Sequence, residues 1–132
     1  TSVIAGQRNK TFVLGGVRCA VFICWDYAFP EYMRKLSSQK TDVIFCPSYL
    51  LRHPKTHDVL ERMPQVRAFD TMSYFVMVDA YAPRTFQHSK ICDPLECVAS
   101  VKKKPGMMYA DVDLAPLQKL RGMFANSMNT KK

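Results

Sequence analysis

In the stretch Val17-Arg18-Cys19-Ala20-Val21-Phe22-Ile23-Cys24-Trp25-Asp26, an apolar run meets an acidic residue, and Phe29-Pro30-Glu31 follows. The run from Val17 to Cys24 reads as a buried strand. Pro30 suits the first turn of a helix, where its missing N–H costs no hydrogen bond. Glu31 lies in the same turn, where negative charge complements the helix dipole. Tyr32, Met33 and Leu36 then supply the apolar stripe of a helix ending near Ser38. A strand that breaks into a helix at Cys24 makes an elbow. A thiol there projects at the end of a sheet, where open α/β folds bind ligands. The backbone N–H groups just after it can face a developing oxyanion. A strand-end cysteine taken alone also reads as a small buried apolar filler.

Outward from this elbow, Phe12-Val13-Leu14 and the Val17 strand flank Gly15-Gly16, a hairpin signature. Residues 1–11 read as an extended polar loop. Downstream, Asp42 to Cys46 reads as a strand closed by Pro47-Ser48. His57 to Tyr74 reads as a helix that Pro64 should kink or restart. Tyr74 to Val78 reads as a central strand. Ile91-Cys92-Asp93, Val98 to Val101 and Met108 to Val112 read as short antiparallel strands. Leu114 to Phe124 reads as a last short helix, with a polar tail over 125–132. The order strand, helix, strand, helix, strand, then turn-linked strands predicts a layered α/β or α+β domain over residues 1–124.

Composition sets the bounds. The chain has 132 residues, 48% of them hydrophobic and 23% charged, which suits one globular domain or a large piece of one. The formal net charge of +8 permits weak attraction to anionic surfaces. The basic residues are scattered, however. The runs Lys102-Lys103-Lys104 and Lys131-Lys132 carry no interleaved aromatics, so no specific nucleic-acid binding is expected. Apolar runs are too short to span a bilayer, and no membrane partner is expected. The five cysteines at 19, 24, 46, 92 and 97 are an odd set with no secretory segment ahead of them. Free thiols in a reducing cytoplasm are the expectation. Cys92 and Cys97 lack a second Cys or His pair to complete a tetrahedral site, so neither a structural metal nor any cofactor is expected.

Ile23-Cys24-Trp25-Asp26 with Phe29-Pro30-Glu31 resembles the nucleophile motif of the carbon–nitrogen hydrolase (nitrilase) superfamily. The resemblance continues in order. Asp42 to Ser48 is similar to the next strand and its Pro-Ser turn, and Gln65 to Asp70 to the family's Ala-Arg-Ala-acidic helix, with Asp70 where glutamate is usual. Tyr74 to Val78, Gln87-His88-Ser89, Asp93-Pro94 and Asp111 to Leu114 resemble the closing strands, and Arg121 the arginine of the final helix. The similarity covers about residues 12–124 and implies the C-terminal half of a nitrilase-like α-β-β-α fold.

It also implies a chemistry. Cys24 would be the nucleophile, attacking an amide, carbamoyl amide or nitrile carbon of a small molecule to form a thioester. The backbone N–H of Trp25 would bind the oxyanion. In the family a glutamate base and a lysine lie well upstream of the cysteine. This chain has no Glu before Glu31, and Lys10 is its one Lys before Cys24 and stands in no matching motif, so neither is given those roles. The expectation is therefore an incomplete domain, completed by an N-terminal half or working as a homo-oligomer. The alternative is a non-catalytic interaction module. Gln87 and Glu96 depart from the small or glycine residues usual at two tight turns. His53, His57 and His88 read as surface or structural residues rather than as a base for Cys24.

Overall fold

A computed structural model describes residues 11–129. Of the loop expected over 1–11, residues 1–10 lie outside the described residues, and Thr11 opens a strand instead. Six strands form one mixed sheet in sequence order. β1 (Thr11–Leu14) and β2 (Val17–Val21) make the antiparallel hairpin, and Gly15 and Gly16 turn it at φ of 56° and 83°. Both angles lie where a Cβ would be strained, so two glycines are the natural solution. β2, β3 (Val43–Ser48) and β4 (Tyr74–Asp79) run parallel. β5 (His88–Cys92) and β6 (Cys97–Lys102) extend the sheet antiparallel. Helices α1 (Pro30–Ser38), α2 (His57–Thr71) and α3 (Leu114–Asn129) complete the domain.

Alternation along the strands gives the sheet two faces. Ala20, Phe22, Ile44, Cys46, Phe75 and Met77 point to one face, where Met33 and Leu36 of α1 and Leu60 and Ala68 of α2 bury them. Cys19, Val43 and Tyr74 point to the other, where Leu114 and Leu117 of α3 give a smaller cover. Arg121 anchors α3 there. Its guanidinium donates to Asp42 Oδ1 at 2.8 Å, to the Met72 carbonyl at 3.0 Å and to the Thr41 carbonyl. Beyond that cover the second face stays open: Leu14, Val21 and Val78 are 65%, 50% and 51% exposed.

Several sequence expectations need correction. The second strand stops at Val21 rather than running to Cys24, because Cys24 already begins a short 3-10 helix, Cys24–Ala28. α2 runs unbroken through Pro64 and ends at Thr71 rather than Tyr74. Pro64 is buried, and Leu60 and Ala68 on either side of it are held in the core, so packing outweighs the lost hydrogen bond. The stop comes from Met72 at φ 49°, a left-handed cap with no glycine to announce it. Met108 to Val112 forms no strand. It crosses the open sheet face, lining one cavity together with Val17, Phe45 and Val76, instead of pairing at an edge. α3 continues past Phe124 to Asn129, so helix occupies part of the expected tail. At the β5–β6 turn Glu96 needs no glycine conformation, because the Asp93 carboxylate accepts from Leu95 N and Glu96 N and sets the turn itself. Gln87 does adopt a left-handed φ of 57°.

Candidate active site

Cys24 sits where the three parallel strands end. Phe22 N donates to the Phe45 carbonyl at 2.9 Å, the last tie between β2 and β3 in this stretch. Ile23 is still extended, and Cys24 then turns to φ 52°. A non-glycine residue in that region costs roughly 1–2 kcal/mol and needs surrounding bonds to hold it. Asp26 supplies them. Its carboxylate accepts from Ile23 N at 3.2 Å, and its own N–H donates to the Ile23 carbonyl at 3.1 Å. The elbow is thus closed by a residue two positions after the thiol.

Around the thiol, Cys24 Sγ donates to the Tyr49 carbonyl at 3.7 Å. The buried Cys46 thiol donates to the Cys24 carbonyl at 3.6 Å and lies 3.5 Å from Ser48 Oγ. Burial pushes the Cys46 thiol up to about 11, with the Ser48 hydrogen bond pulling the other way. Cys46 is thereby a neutral support and not a second thiolate. Cys24 itself is half-buried.

The loops after β3 and β4 form one floor beside it. Leu50 N donates to Asp79 Oδ1 at 2.8 Å and Gln87 N to Asp79 Oδ2 at 2.7 Å, so one carboxylate joins both loops. Phe86 N to the Leu50 carbonyl and Arg52 N to the Arg84 carbonyl extend the seam. Burial raises the Asp79 carboxyl despite those backbone donors. Tyr27 is fully buried below the elbow, ring to ring with Phe75 and Trp25, and its hydroxyl has no partner among the described residues. Burial raises that phenol, and the neighbouring Cys46, Cys24 and Asp79 add to the effect. Trp25, beside Cys24 in the chain, is half exposed.

Arg67 holds the far end of the elbow helix. Its Nε donates to the Tyr27 carbonyl at 2.7 Å, one terminal nitrogen to the Ala28 carbonyl at 3.2 Å, and the other to Asp70 at 2.8 Å. The arginine of the α2 motif thus acts on the elbow's backbone, and the motif's acid, Asp70, pairs with that arginine. No histidine is bonded to Cys24 among the described residues. The His53 ring accepts from Lys55 N, His57 stacks edge-on against Phe86, and buried His88 pairs with Glu61 at 2.7 Å. Glu61, which no motif singles out, also receives Lys90 and Lys102. Burial works against its charge, but the bonds to His88 and Lys90 bring its carboxyl down to about 2.

A cavity of about 610 Å³ lies elsewhere among the described residues. It lies on the open sheet face under the 108–112 segment, lined by Val17, Phe45, Tyr74 and Val76 among others. Strand alternation puts it across the sheet from the α1 and α2 layer, and Cys24 does not line it. Its walls are mostly apolar, and its one thiol, Cys19, is buried and raised by that burial, so the polar elbow is the better candidate site. No three His, Cys, Asp or Glu side chains gather to hold a metal ion, and no helix is long and apolar enough to cross a membrane, both among the described residues.

Comparison with known proteins bears on this arrangement. The carbon-nitrogen hydrolase family model matches residues 1–122. A deaminated glutathione amidase from Synechocystis is 31% identical over 105 residues, covering 75% of this chain and 38% of the relative. The chain therefore spans well under half the length of that curated relative. The structure of Nit3 from Saccharomyces cerevisiae, a nitrilase-superfamily member, superposes with a TM-score of 0.79 at 21% identity, over 92% of this chain and 46% of that one. An amidase from Nesterenkonia sp. AN1, determined with acrylamide added at its active-site cysteine, superposes at 0.74 with 19% identity, over 96% and 51%. At these identities the two structures speak for the fold.

Proposed function

The chain belongs to the carbon–nitrogen hydrolase family, and from that premise we propose that Cys24 is the thiol nucleophile of an enzyme cleaving a non-peptide carbon–nitrogen bond in a small amide, carbamoyl amide or nitrile. The observation that carries this reading is the left-handed backbone at Cys24, locked by the Asp26–Ile23 bonds at the C-terminal end of three parallel strands. Strain held at one residue by dedicated bonds is a mark of functional placement. The amidase relative and the cysteine adduct of the Nesterenkonia enzyme support the same chemistry.

On an amide, the Cys24 thiolate adds to the carbonyl carbon and the carbon–oxygen double bond opens to an oxyanion. The Trp25 N–H, in the first turn of the elbow helix where donors lack intrahelical acceptors, faces that charge. The carbon–nitrogen bond then breaks, the leaving nitrogen takes up a proton, and a thioester remains for water to hydrolyse. The glutamate base and the lysine of the family pattern are supplied from outside these 132 residues. The open sheet face supports the same view, since Leu14, Val21 and Val78 stand where a second layer, a complementing N-terminal half or another copy, would cover them.

The test uses the natural full-length polypeptide, with ammonia release from short aliphatic amides as the readout. Cys24→Ala is expected to lose at least roughly a thousand-fold in kcat/KM with the fold retained. An unchanged rate in that variant would sink the proposal.

A further inference from the structure

Cys92 and Cys97 take no part in the site above. Cys92 ends β5 and is buried, and Cys97 opens β6 and is exposed. The two are direct cross-strand partners in the β5–β6 ladder. That pairing is not what an unbroken ladder would give. Ile91 faces Ala99, so a regular ladder would set Cys92 opposite Val98. A register shift between Ile91 and Cys92 skips Val98 and brings Cys97 opposite instead. Direct partners in an antiparallel pair have Cα atoms roughly 4.5–5.5 Å apart. A disulfide spans roughly 4.4–6.8 Å.

The turn between them is fixed. Asp93 N donates to the Glu96 carbonyl at 2.9 Å, and the Asp93 carboxylate accepts from Leu95 N at 2.6 Å and Glu96 N at 2.8 Å. Gln65 of α2 grips the Asp93 carbonyl at 2.8 Å. The two cysteines are therefore held opposite each other across a fixed turn, and closing them gives up the 3.4 Å bond from the Cys97 thiol to the Ala99 carbonyl.

We propose that Cys92 and Cys97 are a redox-responsive dithiol that closes to a disulfide within the hairpin when it meets a low-molecular-weight disulfide such as oxidised glutathione. Cys97 reacts first because solvent reaches it. Its thiol gives a proton to water, and the thiolate attacks one sulfur of the small disulfide, forming a mixed disulfide and expelling one small thiolate. Cys92 then loses its proton and attacks the Cys97 sulfur, expelling the second small thiolate. The sum is two protein thiols oxidised to one disulfide and one small disulfide reduced to two thiols. The order of events has a second support. Burial, and then the adjacent Cys97 thiol, push Cys92 up to about 12, while Lys90 opposes the shift. Cys92 is thus a poor first attacker and suits the resolving role.

Trypsin cleaves after Lys90 and Lys102, leaving both cysteines on one peptide, residues 91–102, apart from Cys24. The folded chain is incubated with oxidised glutathione, alkylated, digested and weighed by mass spectrometry, with circular dichroism checking the fold. The expected result is a peptide that has lost two hydrogen atoms and both alkylation sites, with both sites restored by dithiothreitol. Cys92→Ser is expected to stop at a glutathione adduct on Cys97. Cys97→Ser is expected to leave Cys92 unmodified until the chain is denatured. Wild-type peptide that stays fully alkylated, or that holds glutathione on Cys97 beside a free Cys92, overturns the proposal.

Discussion

Replacing Arg67 with alanine is expected to destabilise the domain by about 3–5 kcal/mol, most of it at the elbow. Two carbonyls, those of Tyr27 and Ala28, lose their guanidinium donors. A hydrogen bond to a charged group is worth roughly 1.5–3 kcal/mol, and the partly buried Ala28 carbonyl can recover part of its loss from water, which keeps the sum near the lower end of twice that range. The third contact counts for little. Asp70 has a side chain 42% exposed, and an ion pair with one partner in solvent contributes at most about 1 kcal/mol. Urea unfolding followed by circular dichroism measures the effect as a lower midpoint at unchanged slope. Asp70→Asn serves as the control, with an expected loss under about 1 kcal/mol. Arg67→Lys should recover only part of the stability, because a single ammonium cannot reach two carbonyls and a carboxylate in fork geometry. If Arg67→Ala and Asp70→Asn cost the same, the guanidinium works through the ion pair and the account of the elbow anchor is wrong.

Asp79→Asn leaves a side chain with one acceptor oxygen for two backbone donors, so one of Leu50 N and Gln87 N is released. The expected cost is about 1–3 kcal/mol, with faster amide hydrogen exchange at one of those two residues, and unchanged exchange at both would refute the shared-carboxylate seam. Glu61 carries a pH dependence. Its folded carboxyl is held down to about 2 from an ordinary 4.5, so its stabilisation is complete above about 4.5 and drains away as pH falls towards 2. Buried His88 is also lowered, chiefly by burial, so its contribution is present above its ordinary value and lost on acidification through the lowered one. Glu61→Gln should flatten the acid limb of a thermal-melt series from pH 5 to pH 2, and an identical limb in the variant would count against the pairing. Met72→Gly relieves a left-handed cap at φ 49° and should stabilise by about 0.5–1 kcal/mol, read as a higher melting temperature.

What the chain revealed without a structure follows from the range of the interactions involved. The hairpin at Gly15-Gly16, α1 behind Pro30 and the strand at Tyr74 depend on residues close in sequence, and each stands where local chemistry put it. The ends of elements were less legible. α2 stops at Met72 through backbone bonds back to Ala68 and Phe69, and methionine at a left-handed cap gives no signal. Met108 to Val112 alternates like a strand, yet the β5 edge is already taken by β6 and the segment goes over the sheet face instead. Pattern reports which residues want burial, not which surface will bury them.

The site divides the same way. The elbow at Cys24 is local, closed by Asp26 from within the same turn, and its residue pattern could be read directly. Its supports could not. Arg67 reaches Tyr27 across 40 positions, and Asp79 reaches Leu50 across 29. Arg67 stands in the Gln65 to Asp70 motif, which does not say what it holds, and Asp79 had one clue, an ionisable residue at the end of the apolar strand Phe75-Val76-Met77-Val78. A buried charge has to be paired or bonded to backbone. Such a residue next to a strand end is therefore a candidate for holding a loop even when its target is unknown. Here both residues bind main-chain groups and neither is bonded to the Cys24 thiol. That arrangement fixes the elbow while leaving the thiol's chemical partners to be set by whatever covers Trp25. It follows that substitutions at Arg67 or Asp79 should move stability and the rate of Cys24 alkylation together, whereas substitution of Trp25, half exposed beside Cys24, should move alkylation alone.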